Sequence, residues 1–176
     1  MTARQSGLTV EDRLDIEELF AKYSWGIDLA DADLALSCFT EDAWFDHLWQ
    51  GRVQGHAAIR KNLEELWYDR QHWWYGRQHL FNHFLMNAMK TEDGGDGARV
   101  RCFFQIVQFN VEYRTNFVFG IGTRDDVCVK RDGVWLFQQL RINAWSTREA
   151  VPWQGEMKLA PAPGQPPRPT TMRTGT

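Results

Sequence analysis

The segment ARVRCFFQIVQFNVEYRTNFVFGIGTRDDVCVKRDGVWLFQQLRINAW, residues 98–145, decides the fold. Branched and aromatic side chains dominate it, and these fit a pleated, half-buried surface better than a helix. RDG at 131–133 supplies turn chemistry between two such runs. The segment therefore predicts long strands that follow one another as antiparallel neighbours. Before it, RQHLFNHFLMNAM (77–89) has the same texture and is set off by the turn-forming TEDGGDG (91–97).

Upstream of Arg77 the periodicity changes. In TVEDRLDIEELFAKYSW (9–25), Leu14, Ile16, Leu19, Phe20 and Tyr23 form a helical stripe. Thr9 with Asp12 three residues later is a variant of the capping box. The stripe breaks at Gly26, and DLADADLALSCF (28–39) restarts as a short second helix with Leu34, Leu36 and Phe39 on its apolar side. DAWFDHLWQGRVQG (42–55) predicts a hairpin around Gln50–Gly51, and HAAIRKNLEELWYDR (56–70) predicts a third helix. Helices on one face of a strongly curved antiparallel sheet make this an α+β chain.

The remaining features narrow the function by exclusion. A formal charge of -3 and no basic run argue against nucleic acid as a partner. No stretch approaches the length of a membrane span, and MTARQSGLTVEDR lacks a secretory apolar centre, so a soluble, cytoplasmic protein is expected. Cys38, Cys102 and Cys128 are widely spaced within apolar runs, which suits reduced thiols and no metal site. GIGTRD (120–125) lacks the strand-to-helix setting of a dinucleotide loop, and no cofactor is expected. The ending LAPAPGQPPRPTTMRTGT (159–176) is proline-rich and poor in large apolar residues. One domain over 1–159 and a loose tail over 160–176 are expected. Nine Trp, eleven Phe and four Tyr are more rings than a plain core needs, and the excess suits a half-wet pocket or subunit contacts.

FAKYSWGIDLADADLALSCFTEDAWFD (20–46), RQHLFNH (77–83) and VKRDGVWLFQQLRI (129–142), in that order, resemble the SnoaL-like branch of the nuclear transport factor 2 superfamily over about residues 8–150. The resemblance implies a cone-shaped, cystatin-like α+β barrel: a curved antiparallel or mixed sheet, about three N-terminal helices on its concave side, and a pocket within. It also implies that Asp28 and His79 form a proton-transfer pair. Such a pair works near neutral pH without metal. Asp28 could instead cap the second helix. Tyr23 stands at the interval before Asp28 seen in the bile-acid dehydratase-like group, where its phenol could orient or protonate a substrate oxygen; otherwise it is a core residue.

Strand alternation would put His79, Phe81, His83 and Leu85 on one face. His83 stands where relatives carry Asn, and could replace it or serve as a second base. Arg141, if inward, could steady charge on an oxygen, and if outward would be solvated. Trp25, Trp44, Trp49, Phe104, Phe119 and Trp145 are the candidate walls for a ring-bearing ligand. Trp67, Tyr68, Trp73, Trp74 and Tyr75 are expected at the rim, as a lid or a subunit contact. The favoured activity is a cofactor-independent lyase, removing water or a small aldehyde from a bulky aromatic or polycyclic alcohol. An isomerase or cyclase on a polyketide or steroid, a noncatalytic small subunit of an aromatic-ring dioxygenase, and a ligand-binding protein are the alternatives. A homodimer or homotrimer is expected.

Overall fold

The structure, a computed structural model, describes residues 7–47, 50–68, 76–146 and 150–152. Elements follow in the order α1 (Val10–Asp28), α2 (Ala32–Leu36), β1 (Phe39–His47), β2 (Gly51–Gln54), α3 (His56–Tyr68), β3 (Arg77–Lys90), β4 (Asp96–Asn110), β5 (Thr115–Arg131) and β6 (Val134–Ala144). The three helices pack against one curved sheet of six strands in the order β2-β1-β6-β5-β4-β3. The sheet does not close into a barrel, since β2 and β3 are its edges. The last four strands pair antiparallel as the turn residues require, whereas β1 lies parallel to β6.

Helix α1 begins where its cap dictates. Thr9 Oγ1 accepts from the Asp12 N–H at 3.0 Å, and Asp12 returns the bond to the Thr9 N–H at 3.3 Å. Asp12 also accepts from Lys130 Nζ (2.7 Å) and Trp135 Nε1 (3.1 Å), tying the start of the helix to β5 and β6. Ile16, Leu19, Phe20, Tyr23 and Ile27 form its buried stripe. Phe20 meets Phe81, Phe84 and Phe137 edge-on at centroid distances of 5.0–5.4 Å. Each such ring contributes about 1.5–3 kcal/mol by leaving water. At the far end, Gly26 lets α2 approach so closely that a Cβ there would lie 2.6 Å from the Ala35 nitrogen. Asp31, not Asp28, caps α2, its side chain accepting from the Leu34 N–H at 2.9 Å. The cap reading of Asp28 is therefore replaced by another role.

Register breaks occur in β3 between Asn82 and Leu85, in the β4–β5 pairing at Ile106/Val107 and in the β5–β6 pairing at Val127/Cys128. Bulges add local twist and bend long strands, which is how strands of 14 to 17 residues wrap a core. Among the described residues no helix is long and apolar enough to cross a membrane. Trp49, Trp73, Trp74, Tyr75 and the proline-rich ending from residue 160 lie outside the described residues.

Candidate active site

Asp28 is the last residue of α1, and the close contact of α1 with α2 at Gly26 fixes where that end points. Its carboxylate takes two bonds from one residue of β3. Oδ2 accepts from the backbone N–H of His79 at 2.7 Å, and Oδ1 faces His79 Nδ1 at 2.5 Å. A carboxylate only accepts, so Nδ1 carries the proton and the neutral ring keeps its lone pair on Nε2. The two side chains are only 19% and 11% exposed. Burial lowers the pKa of His79 below its ordinary value, and the Asp28 carboxylate opposes part of that shift. The imidazole is thus neutral and oriented.

His79 lines a cavity of about 180 Å³ whose walls are mostly apolar. Of the residues expected to serve it, Tyr23, His79, Phe104, Phe119 and Trp145 line this one space. Tyr23 is also a buried member of the core, and burial raises its phenol above the ordinary range. The Trp145 indole has its Nε1–H buried with no hydrogen-bond partner among the described residues.

Four expected site residues stand elsewhere. Trp25 falls off the buried stripe of α1 and is 65% exposed. Trp44 alternates with the buried Ala43 and Phe45, so it faces away, beneath the Arg52 guanidinium at 4.0 Å. His83 is turned outward by the β3 bulge: its φ is +55°, its Nδ1 lies 2.6 Å from Asn82 Oδ1, and its ring rests near Phe103. Past that point the inward positions are Phe84 and Met86, so strict alternation fails at the bulge. Arg141 also points out, with its Nε 3.6 Å from Asp46 Oδ2. On β5, Arg124, paired with Ile142, holds an inward position instead.

Arg124 is buried, with its guanidinium 5.0–5.4 Å from the rings of Phe20, Tyr23, Phe81 and Phe137. Asp126, two residues on and on the same face of β5, compensates the charge: Nη2 lies 2.7 Å from Oδ2, and Nε donates to Oδ1 at 3.2 Å. Burial pushes the Asp126 carboxyl up to about 6, against the pull of Arg124. Opposite charges two apart in a strand share one face, and RDD at 124–126 carries that spacing; which face turns inward is fixed by the neighbouring strands.

His47 is a second histidine absent from the sequence-derived set. It ends β1, lines the cavity, and follows Ala43 and Phe45 in the inward parity. Burial, helped by His79 and Arg77, lowers its pKa to about 4, so it too is neutral near pH 7. Arg77, the first residue of β3, also lines the cavity; its Nε donates to Gln108 Oε1 at 2.9 Å, and its guanidinium lies 4.8 Å from the Phe119 ring. Trp67 reaches the cavity from α3 while its Nε1–H donates to the Ile27 carbonyl at 2.8 Å, holding α3 against the end of α1. Of the remaining rim cluster, the side chain of Tyr68 and residues 69–75 are outside the described set. Among the described residues no group of three or more His, Cys, Asp or Glu is placed to hold a metal ion.

A family model for the SnoaL-like domain matches residues 8–141. No curated protein matches the chain. Solved structures share the fold. ActVI-ORFA from Streptomyces coelicolor superposes with a TM-score of 0.67 at 16% identity, covering 78% of this chain and 100% of its own. A protein of unknown function with a cystatin-like fold from Nostoc punctiforme gives 0.65 at 20% identity, covering 80% and 96%. A proposed scytalone dehydratase from Novosphingobium aromaticivorans gives 0.61 at 21% identity, covering 77% and 85%.

Proposed function

Since the chain belongs to the SnoaL-like domain family, we propose that it is a lyase that works without a cofactor on a hydroxylated aromatic compound. The observation that carries this reading is the Asp28–His79 pair set into the wall of an apolar cavity. The Nε2 lone pair of His79 removes a proton from the carbon beside the carbinol. Asp28 stabilises the imidazolium that results. The C–O bond breaks as the new double bond forms, and the imidazolium returns its proton to the departing hydroxyl, so that one water leaves and the enzyme is restored. Tyr23 and Arg124 face the same space, and a hydroxyl and a guanidinium there suit an oxygen gathering negative charge. With a hydroxyl as the first proton donor, the same base would release a small aldehyde: the carbon–carbon bond breaks as the aldehyde C=O forms, and the carbon left with the electron pair takes the proton back from the imidazolium.

The volume bounds the substrate. A dry cavity of about 150 Å³ holds benzene, so about 180 Å³ seats one ring with small substituents. A larger molecule would place its remaining part beyond the cavity. Three buried free thiols suit a reducing compartment such as the cytoplasm. Exposed Leu80, Leu85, Phe103 and Val118 on the outer side of β3, β4 and β5 suit contact with a second copy of the chain.

The test is turnover of a panel of hydroxylated phenylpropanoids, lignin-type dimers and polyketides, followed by mass spectrometry with no added cofactor. Loss of eighteen mass units or of an aldehyde fragment is expected, with H79A slower by about two to four orders of magnitude. A product of unchanged mass would replace the lyase by an isomerase. Turnover unaffected by H79A would remove His79 as the base.

A further inference from the structure

Strand register arranges the cavity wall in rungs. His79 of β3, Ile106 of β4 and Gly120 of β5 are paired across consecutive strands, and Phe81, Phe104 and Gly122 form the next rung. All three members of the first rung line the cavity. Gly120 therefore stands level with His79, two strand spacings or about 10 Å away along the sheet.

The two glycines answer to different needs. At Gly122 a Cβ would lie 2.2 Å from the Asn143 carbonyl oxygen and 2.6 Å from Phe104 Cε1, so packing alone demands glycine there. At Gly120 neither packing nor the backbone does. Its φ lies outside the left-handed region, and the nearby bulge takes Phe119 as its extra residue. Among the described residues, the nearest atom to a Cβ added at Gly120 is Ile106 Cδ1, 3.9 Å away, which is ordinary contact. Alanine would fit, and glycine inside a strand is the less stable choice. A bare strand backbone suits the close approach of a ligand. The missing side chain thus leaves a notch of about methyl size on the rung of His79, bounded by the carbon of Ile106.

We infer that Gly120 determines which ring the cavity accepts: a substrate whose reacting carbon meets His79 lies across Ile106 and puts a small apolar group, such as methyl or methoxy, into the notch. That group stands on the ring position opposite the reacting side chain, because the notch and His79 are the two ends of one rung. The inference rests on the reading of the cavity as a seat for one ring, and it names the substitution pattern of that ring.

Binding tests it without turnover. Calorimetric titration of the full chain uses acetophenone and its 2-methyl and 4-methyl derivatives, ketones with no hydroxyl to eliminate. The 4-methyl ketone is expected to bind about fourfold tighter than either of the others, the worth of one buried methyl group. G120A puts its own methyl group into the notch and should erase that preference, with its urea midpoint kept, since alanine adopts the φ found there. I106V removes the Cδ1 that bounds the notch, and should bind 4-ethylacetophenone about fourfold tighter than the wild type does. Equal binding of the 2-methyl and 4-methyl ketones, or a loss of affinity for all three alike in G120A, would overturn the notch and leave a ring-binding cavity. Binding of none of them in the millimolar range would overturn the notch and the cavity reading together. A preference for the 4-methyl ketone in a protein that turns over no alcohol would overturn the lyase alone. If G120A fails to fold, the I106V comparison decides.

Discussion

At the scale of single residues, the neutral histidines set the pH behaviour. A base that must be neutral, with a pKa lowered by burial, gives an acid limb of kcat/KM below the ordinary histidine value of 6.5. D28N removes the group that supports protonation of His79, so its limb should move further down while the rate falls about a hundredfold; a pH-rate profile of both proteins checks this. His47 bears on stability. Because folding favours its neutral form, stability due to it is complete above pH 6.5 and is lost as pH falls toward about 4. Asp126, raised to about 6, acts in reverse and gains stability as pH falls through that value. In H47Q, the loss of unfolding free energy between pH 7 and pH 5 should therefore be smaller by about 2 kcal/mol than in the wild type, read from urea midpoints. Asp28, Tyr23 and His79 are singled out by the resemblance of FAKYSWGID and RQHLFNH to a known family, and the fold puts Tyr23 and His79 on the cavity with Asp28 hydrogen-bonded behind His79. Arg124 and His47 were harder, since a strand residue declares its direction only once its neighbours' parity is fixed.

Elements show why parity failed where it did. Alternation along β3 holds through Asn82, then one residue at φ +55° exchanges the faces and carries His83 outward. Histidine tolerates that conformation poorly and glycine adopts it freely, so H83G should raise stability by about 0.5–1 kcal/mol and leave turnover unchanged. A lost activity in H83G would return His83 to the site. The bulge has no signature in FNHFLM, because the residue that bends is not glycine. Gly26 is the opposite case, for its need is spatial. G26A would press a methyl group to within 2.6 Å of the α2 backbone, separating α1 from α2 at a cost of about 1–3 kcal/mol. Asp28, two residues on, would shift with it, so chemical denaturation should show the lost stability and kinetics a lower kcat.

On the scale of the whole molecule, the α+β class, the capped first helix and the antiparallel run of four strands followed from periodicity and turn chemistry. The placement of β1 did not, because nothing in FTEDAWFDH names its neighbour. The outer face bearing Leu80, Leu85, Phe103 and Val118 predicts that sedimentation will find more than one copy per particle, and that F103E will shift the protein toward monomer. The pairing of β1 with β6 has a consequence for synthesis. The first strand to leave the ribosome must wait for the last before its inner edge is satisfied, a delay on the order of ten seconds at ordinary translation rates. Such distant pairing is entropically expensive and makes folding slow. Phe39, Phe45 and the buried face of α1 therefore stay unsheltered on the nascent chain until Phe137 and Leu140 emerge, and the newly made protein is expected to aggregate more when chaperones are depleted.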